Sequence, residues 1–366
     1  MKEKIKIIVS GGGTGGHIFP AISIANALKQ KHSDCEILFV GAEGKMEMEK
    51  VPAAGYDIIG LPIRGLQRSF SKENLKFFSR LLRSIWKAKA VVKGFRPDAV
   101  VGVGGYASGP LLHAAAKLGV PTLIQEQNSY AGITNKLLAK KAKKICVAYE
   151  GMERFFPANK ILLTGNPVRK DLLDISSKKQ EAVAYFDLDP AKKTILIVGG
   201  SLGARTINNS VLKSLKALSD SDVQVIWQTG KFYIEKVREE LSNWDIPCLK
   251  VSDFLSRMDL AYAAADMVIS RAGAGTISEL CLVEKACILV PSPNVSEDHQ
   301  TKNAMALVNK NAAVMVKDIE AEDKLIGTAL ELIKDEEKLA LLSENCKALA
   351  KPNAADEIAE QIIALI

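Results

Sequence analysis

The sequence predicts an α/β protein of two Rossmann-like, doubly wound domains, and three observations carry that prediction. The first is length, because 366 residues exceed what one ordinary core organises. The second is an alternation of short apolar runs with helical stretches, which calls for a parallel sheet covered on both faces. The third is a restart halfway along the chain. Residues 5–10 run into GGGTGGH (11–17) and residues 194–198 into GGSLGAR (199–205), each a strand, a glycine-rich turn and then a helix. Two such units facing each other across a cleft are the expected arrangement. The expected domains are 1–168 and 169–349, with a last helix over 350–366 packing back on the first.

The elements follow in order from periodicity. Strands are expected at 4–10 and 35–40, with a helix over 20–31 between them. A strand at 99–103 precedes a helix over 110–118, and further strands lie at 122–125, 145–148 and 161–164. After a polar stretch at 170–193, buried strands are expected at 194–198, 223–228, 248–251, 267–270 and 286–290.

Composition narrows the class. Apolar residues at 48% and charged residues at 25% suit a folded globular chain and leave no low-complexity segment to explain. No apolar run approaches the ~18 residues that would cross a bilayer. The first five residues lead directly into a strand-like stretch rather than a secretory signal. A cytoplasmic protein, or one held at the cytoplasmic surface of a membrane, is the expectation. The six cysteines are scattered without a Cys-x-x-Cys pair, so they read as reduced core residues and not as a zinc site. Asp220-Ser221-Asp222 spells a metal-binding pattern but sits in a polar stretch before a strand, where it reads as a turn. No metal and no cofactor are expected.

Chemistry concentrates in the glycine loops. A strand-to-helix turn without side chains lets backbone N–H groups approach an anion where the helix dipole also favours negative charge. GGGTGGH contains Gly-x-Gly-x-x-Gly, and with Glu43 beyond the second strand it would also suit a nicotinamide enzyme. Against that stand His17, a possible base directly after the loop, and two further glycine loops, GVGGYASGP (102–110) and GGSLGAR. All three close parallel strands, where ligands bind in such sheets. Downstream, SRAGAGTISEL (270–280) enters a helix and brings Glu279 near its start, suited to a ribose diol. PSPNVSEDHQTKN (291–303) supplies Asp298, His299, Gln300 and Asn303 for sugar hydroxyls.

GGGTGGH, GVGGYASGP, EQNS (126–129), GNPVR (165–169), GGSLGAR, the RAGAGTISEL run and EDHQTKNA occur in this order along nearly the whole chain, from residue 5 to about 306. In this the chain resembles the MurG family of bacterial transferases. The resemblance implies a GT-B fold and inverting transfer of N-acetylglucosamine from UDP-N-acetylglucosamine to the muramoyl 4-hydroxyl of lipid I, the undecaprenyl-diphosphate acceptor. It further implies that Ser201 and the neighbouring amides hold the donor diphosphate, that Arg169 and the backbone near Leu255 meet the nucleotide, and that Glu279 grips the ribose. Ala274, Gly275, Thr276, Ile277 and Ser278 would line diphosphate and sugar. Gln300 would read the sugar, joined by Asn128, Thr14, Gly15 and Gly16. His299 stands where some family members have a second glutamine, which leaves its contact open. The first two loops, with Gly12, Gly13, Gly104, Gly105 and Ser108, would take the acceptor diphosphate. His17 is the candidate base, with Glu126 and Tyr106 assisting, and Arg205 can help to meet the charge of UDP.

Between residues 61 and 96 ten Lys or Arg residues face one acid, Glu73. Phe78, Leu81, Leu82 and Ile85 fall at helical spacing there, with Trp86 beside them and Arg80 and Arg83 flanking. Such a basic amphipathic helix suits an anionic membrane surface, or its stripe packs on the core. The segment holds no recognisable nucleic-acid reading motif, so nucleic acid is not an expected partner. Alternatives left open are a UDP-N-acetylglucosamine 2-epimerase or another lipid glycosyltransferase, an NAD-dependent oxidoreductase, and a non-catalytic membrane scaffold.

Overall fold

The computed structural model describes residues 4–65, 72–200 and 202–366. The chain divides into two compact units, Met1–Val168 joined by Asn353–Ile366, and Arg169–Pro352.

The first unit opens with β1 (Lys6–Gly11), α1 (Gly15–Lys31), β2 (Glu36–Ala42), α2 (Glu47–Ala53) and β3 (Asp57–Leu61). It continues with α3 (Lys72–Phe95), β4 (Ala99–Gly104), α4 (Ser108–Lys117) and β5 (Thr122–Glu126). Then come α5 (Ile133–Leu138), β6 (Lys144–Val147) and β7 (Ile161–Leu163). The strands form one parallel sheet in the order β3-β2-β1-β4-β5-β6-β7. Helices cover both faces, so a central strand such as β1 reads as an unbroken apolar run. Successive side chains take opposite faces. Ile7 and Val9 join α1, while Ile8 joins α3 and α4.

In the second unit α6 (Lys179–Tyr185) precedes β8 (Lys193–Val198), α7 (Arg205–Lys213), α8 (Leu215–Ser219) and β9 (Val223–Gln228). Next are α9 (Ile234–Leu241), β10 (Leu249–Ser252), α10 (Met258–Ala264), β11 (Met267–Ser270) and α11 (Ala274–Leu282). The unit closes with β12 (Ala286–Leu289), α12 (His299–Val308), β13 (Val314–Met315), α13 (Asp318–Leu332) and α14 (Glu336–Ala348). Its parallel sheet runs β10-β9-β8-β11-β12-β13. The last helix, α15 (Ala354–Ile363), buries Ile358, Ala359 and Ile362 in the core that α1 shares, and Lys31 Nζ donates to Glu360 at 2.8 Å.

Both sheets reverse direction beside their first strand, between β1 and β4 and between β8 and β11. Ligands bind such sheets at the carboxyl ends of the strands flanking that reversal. Periodicity does not find β3 and β13, which are both sheet edges. β3 begins exposed and half-buried, and β13 has two residues. The first helix also starts earlier than the expected residue 20. Thr14 is already extended, the N–H groups of His17 and Ile18 bond its carbonyl, and Pro20 falls within the helix. His17 therefore sits in the first turn.

Candidate active site

The two N-terminal glycine loops meet at the β1/β4 reversal. The ladder slips at the end of β1, so Gly11 comes opposite Gly104. Beyond it Gly105, at a φ of 88°, lies so close to Gly12 that a Cβ would stand 2.4 Å from the Gly12 carbonyl oxygen. The loops touch backbone to backbone, a contact that only glycine permits at that φ.

His17 is half-buried beside them. Its Nδ1 lies 3.0 Å from the Gly12 carbonyl oxygen and 3.5 Å from Thr14 Oγ1. A carbonyl only accepts, so Nδ1 carries a hydrogen, and in the neutral imidazole that leaves the lone pair on Nε2, the form a general base requires. The Nε2 edge rests over Gly104, where a Cβ would come within 2.8 Å of it. Tyr106 is exposed, and its hydroxyl lies against Gly65. Thr14 and Gly16 are exposed and Gly15 is half-buried at the head of α1.

Three of the expected groups are engaged within the unit itself. The Ser108 hydroxyl is turned inward. It is fully buried and donates to the Gly104 carbonyl at 2.8 Å, with Ser10 O and Oγ at 3.1 and 3.2 Å, which ties α4 to β1. Glu126 is also turned inward. Its carboxylate accepts from Asn128 N at 3.1 Å, Asn128 Nδ2 at 3.3 Å, Gly132 N at 3.0 Å and Asn135 Nδ2 at 2.8 Å. Its work is to shape the EQNS loop and to fix Asn128. The Gly13 N–H donates to Glu47 Oε2 at 2.9 Å.

Glu47 is the residue that sequence reasoning missed. It is completely buried, and Oε1 also accepts the Ala42 N–H at 3.0 Å. In the sequence it belongs to a charged stretch, MEMEK, that resembles a solvated helix start. Glu43, the acid that kept a nicotinamide reading open, pairs with Lys87 at 2.9 Å.

In the second unit a cavity of about 750 Å³ opens at the β8/β11 reversal, lined among others by Gly200, Arg205, Thr206, Arg271, Thr276 and Gln300. The N-termini of α7 and α11 both reach it, and their unpaired amides and dipoles favour an anion there. The loop that makes this approach possible is held by backbone packing. A Cβ on Gly203, at a φ of 81°, would stand 2.1 Å from the Thr229 carbonyl oxygen. Ser201 lies outside the described residues.

Two charged groups fix the cavity wall. Arg271 pairs with Asp318 and donates to the Val290 carbonyl at 3.1 Å, while Thr206 donates to Asp318 at 3.1 Å. These contacts tie the ends of β11 and β12 to α7 and α13. Arg271 opens the RAGAGTISEL run, where the sequence assigned it no role, and Asp318 carried no sequence signal. Gln300 Oε1 accepts the Ser292 N–H at 2.8 Å, which orients its amide at the cavity. His299 opens α12, preceded by Glu297 and Asp298, both left-handed at φ 56° and 51°. Such conformations in non-glycine residues cost of order 1–3 kcal/mol and gather at ligand sites.

Glu279 lies on α11 with its Oε2 accepting from Tyr262 at 3.0 Å and Oε1 3.5 Å from Arg169 Nε. Burial pushes its carboxyl above the ordinary glutamate range, opposed by the Arg169 charge and the Tyr262 hydrogen bond. The Tyr262 hydroxyl is pushed well above the usual phenol range, first by burial and then by the Glu279 charge. Ser278 bonds the Ala274 carbonyl at 3.0 Å, and the side chains of Ile277 and Leu255 are buried, which leaves their backbones for any ligand. Among the described residues no group of three or more His, Cys, Asp or Glu is placed to hold a metal ion. Asp222 of the Asp-Ser-Asp run pairs with Lys192 at 3.0 Å, just before the amino end of β9.

The helix of the basic segment, α3, carries two apolar stripes. Phe77, Leu81, Ala88 and Val92 pack into the first unit's core, whereas Phe78, Leu82 and Trp86 point outward at 68%, 60% and 78% exposure. Ile85 is half-buried between them and Arg83 is exposed. Arg68 lies outside the described residues.

Residues 7–147 match the glycosyltransferase family 28 N-terminal domain, and residues 194–361 match the glycosyltransferase family 28 C-terminal domain. The chain is 61% identical to the UDP-N-acetylglucosamine–N-acetylmuramyl-(pentapeptide) pyrophosphoryl-undecaprenol N-acetylglucosamine transferase of Parabacteroides distasonis, over 100% of this chain and 99% of that one. It is 55% identical to the transferase of the same name from Cytophaga hutchinsonii, over 100% and 98%. The crystal structure of MurG from Acinetobacter baumannii is similar at 28% identity and a TM-score of 0.78, covering 99% of both chains. A UDP-N-acetylglucosamine 2-epimerase from Neisseria meningitidis shares the fold at 16% identity and a TM-score of 0.67.

Proposed function

The chain belongs to the MurG branch of glycosyltransferase family 28, and from that premise we propose how its two units divide one glycosyl transfer. It is a UDP-N-acetylglucosamine-dependent hexosyltransferase of GT-B fold. It moves N-acetylglucosamine onto the muramoyl 4-hydroxyl of lipid I with inversion and gives lipid II for peptidoglycan synthesis. The full-length 61% identity carries this conclusion, since an epimerase shares only the fold. Incubation with UDP-[14C]N-acetylglucosamine and a lipid I analogue tests it. A labelled β-linked disaccharide lipid is expected, and conversion of the donor to its N-acetylmannosamine epimer instead would point to the epimerase.

The second unit takes the donor. The α7 and α11 amides, with Arg205 beside them, hold the diphosphate, and Gln300 reads the sugar. Glu279 accepts from the ribose diol, with Arg169 and Tyr262 fixing its carboxylate. What supports this is the coincidence of two helix N-termini, a polar cavity and the half-buried Glu279 carboxylate in one unit. Glu279→Ala is expected to raise the KM for UDP-N-acetylglucosamine roughly 10- to 100-fold, the loss of hydrogen bonds to a charged acceptor. A deoxyribose UDP donor should be far less sensitive to that change, and equal sensitivity would remove Glu279 from the ribose. Because burial raises the carboxyl pKa, donor affinity should weaken as the pH falls through it.

The first unit takes the acceptor at its paired glycine loops, and His17 Nε2 accepts the proton of the attacking hydroxyl. The Nδ1–Gly12 hydrogen bond supports that role by fixing the tautomer. Tyr106 stands exposed beside the loop to contact the acceptor.

Among the described residues no helix is long and apolar enough to cross a membrane. The outward stripe Phe78, Leu82 and Trp86, with Arg80 and Arg83, rests on the anionic cytoplasmic face of the membrane that holds the lipid acceptor. Each basic group near such a surface contributes about 1 kcal/mol, so reversing both arginines to Glu should weaken vesicle binding by at least roughly 30-fold. Co-sedimentation with phosphatidylglycerol vesicles checks this, and binding unaffected by salt or by the reversal would refute it.

A further inference from the structure

We propose that Glu47 is a positioning residue for His17, acting through the single peptide group that joins Gly12 to Gly13. The inference rests on His17 being the base. That peptide is bonded at both ends: its N–H, on Gly13, donates to Glu47 Oε2 at 2.9 Å, and its carbonyl, on Gly12, accepts from His17 Nδ1 at 3.0 Å. Carboxylate, peptide and imidazole thus form one line of hydrogen bonds. In such a line each bond polarises the next.

The packing shows that the arrangement is built into the loop. Glu47 is completely buried, and its other oxygen takes the Ala42 N–H at 3.0 Å. A Cβ on Gly12 would stand 2.1 Å from Oε1, and one on Gly41 would stand 2.5 Å from the Glu47 Cγ. Both neighbouring strand ends leave out side chains where the carboxylate fits. A buried carboxylate under an anion-binding loop also works against the anion by Coulomb repulsion. Its presence there calls for a compensating use, and orienting the base supplies one. The carboxylate draws the Gly13 hydrogen and makes the Gly12 oxygen a stronger acceptor. It thereby holds the proton on Nδ1 and raises the basicity of Nε2. Among the described residues Tyr106, from the β4–α4 turn, also reaches this loop, its ring 4.0 Å from a Cβ on Gly13.

Glu47→Gln keeps the shape and removes the charge. The 15N resonances of the His17 imidazole, titrated in the intact protein, should show its pKa lowered by roughly 0.5–1 unit, because an opposite charge has been withdrawn from the imidazolium. The acid limb of the kcat profile should move to lower pH by the same amount. The plateau kcat should fall roughly 10- to 100-fold, the range seen when the hydrogen-bond partner that orients a metal-bound histidine is removed. KM for UDP-N-acetylglucosamine should stay unchanged, and in a His17→Ala background the substitution should cost nothing further. An unmoved His17 titration overturns the proposal. Should the variant not fold, the native protein decides: its His17 must carry the neutral-form proton on Nδ1, and a majority of the Nε2–H tautomer is equally fatal. If His17→Ala leaves turnover intact, the base reading falls. If His17→Ala is damaging but Glu47→Gln leaves the titration in place, the peptide relay alone falls.

Discussion

Replacing His17 with Ala should lower kcat roughly 100- to 10,000-fold, the usual contribution of a positioned general base. The donor KM should hardly change, because the residues assigned to the nucleotide belong to the second unit. A loss confined to kcat and kcat/KM identifies an interaction made in the transition state. The side chain is half-buried at the surface of the loop rather than in the core, so folding should survive. Steady-state kinetics with a lipid I analogue, beside a thermal melt, provide the check. Turnover within twofold of the native rate would take His17 out of the chemistry.

Gly203→Ala should be the most damaging change in the donor half. A Cβ there meets the Thr229 carbonyl oxygen at 2.1 Å, and Thr229 follows directly on β9, the strand beside β8. The obstacle is backbone on a central ladder and cannot rotate away. Gly230 closes the other side, since a Cβ on it would stand 2.3 Å from Gly203 N. The loop must therefore swing away from β9, which carries the α7 amides out of the cavity. A cost of about 3 kcal/mol or more is expected, combining left-handed strain with the clash. UDP affinity measured by calorimetry should fall with it. Gly200→Ala is the matched control, because its φ of 84° imposes similar strain while nothing lies within 4 Å of its Cβ. Equal effects of the two substitutions would show that strain alone, without the Thr229 contact, governs the loop.

Much of the fold can be read from the chain because buried parallel strands leave unbroken apolar runs, as β1, β4, β8 and β11 do. β3 and β13 leave no such run, since β3 begins with an exposed Asp57 and is interrupted by Gly60, and β13 has only two residues. Glycine loops were legible for a related reason. Glycine recurs where a backbone must approach another backbone or turn left-handed, and Gly105 and Gly203 do both.

Side-chain direction was not legible. Ser108 and Glu126 have the residue types of ligand-binding groups and sit in the expected loops, yet both turn inward to bond their own backbone. Glu47 has the look of a surface acid and is the most buried carboxylate at the site. By itself, then, the sequence determined two α/β units, the ends of the strands that carry the chemistry, and the family. Only the tertiary structure decided which polar groups face a ligand and which hold the loops that do. The reason is that periodicity and glycine content are local properties of the chain, whereas a hydrogen-bond partner such as Glu47 for Gly13 is fixed by folding residues 34 positions apart against each other.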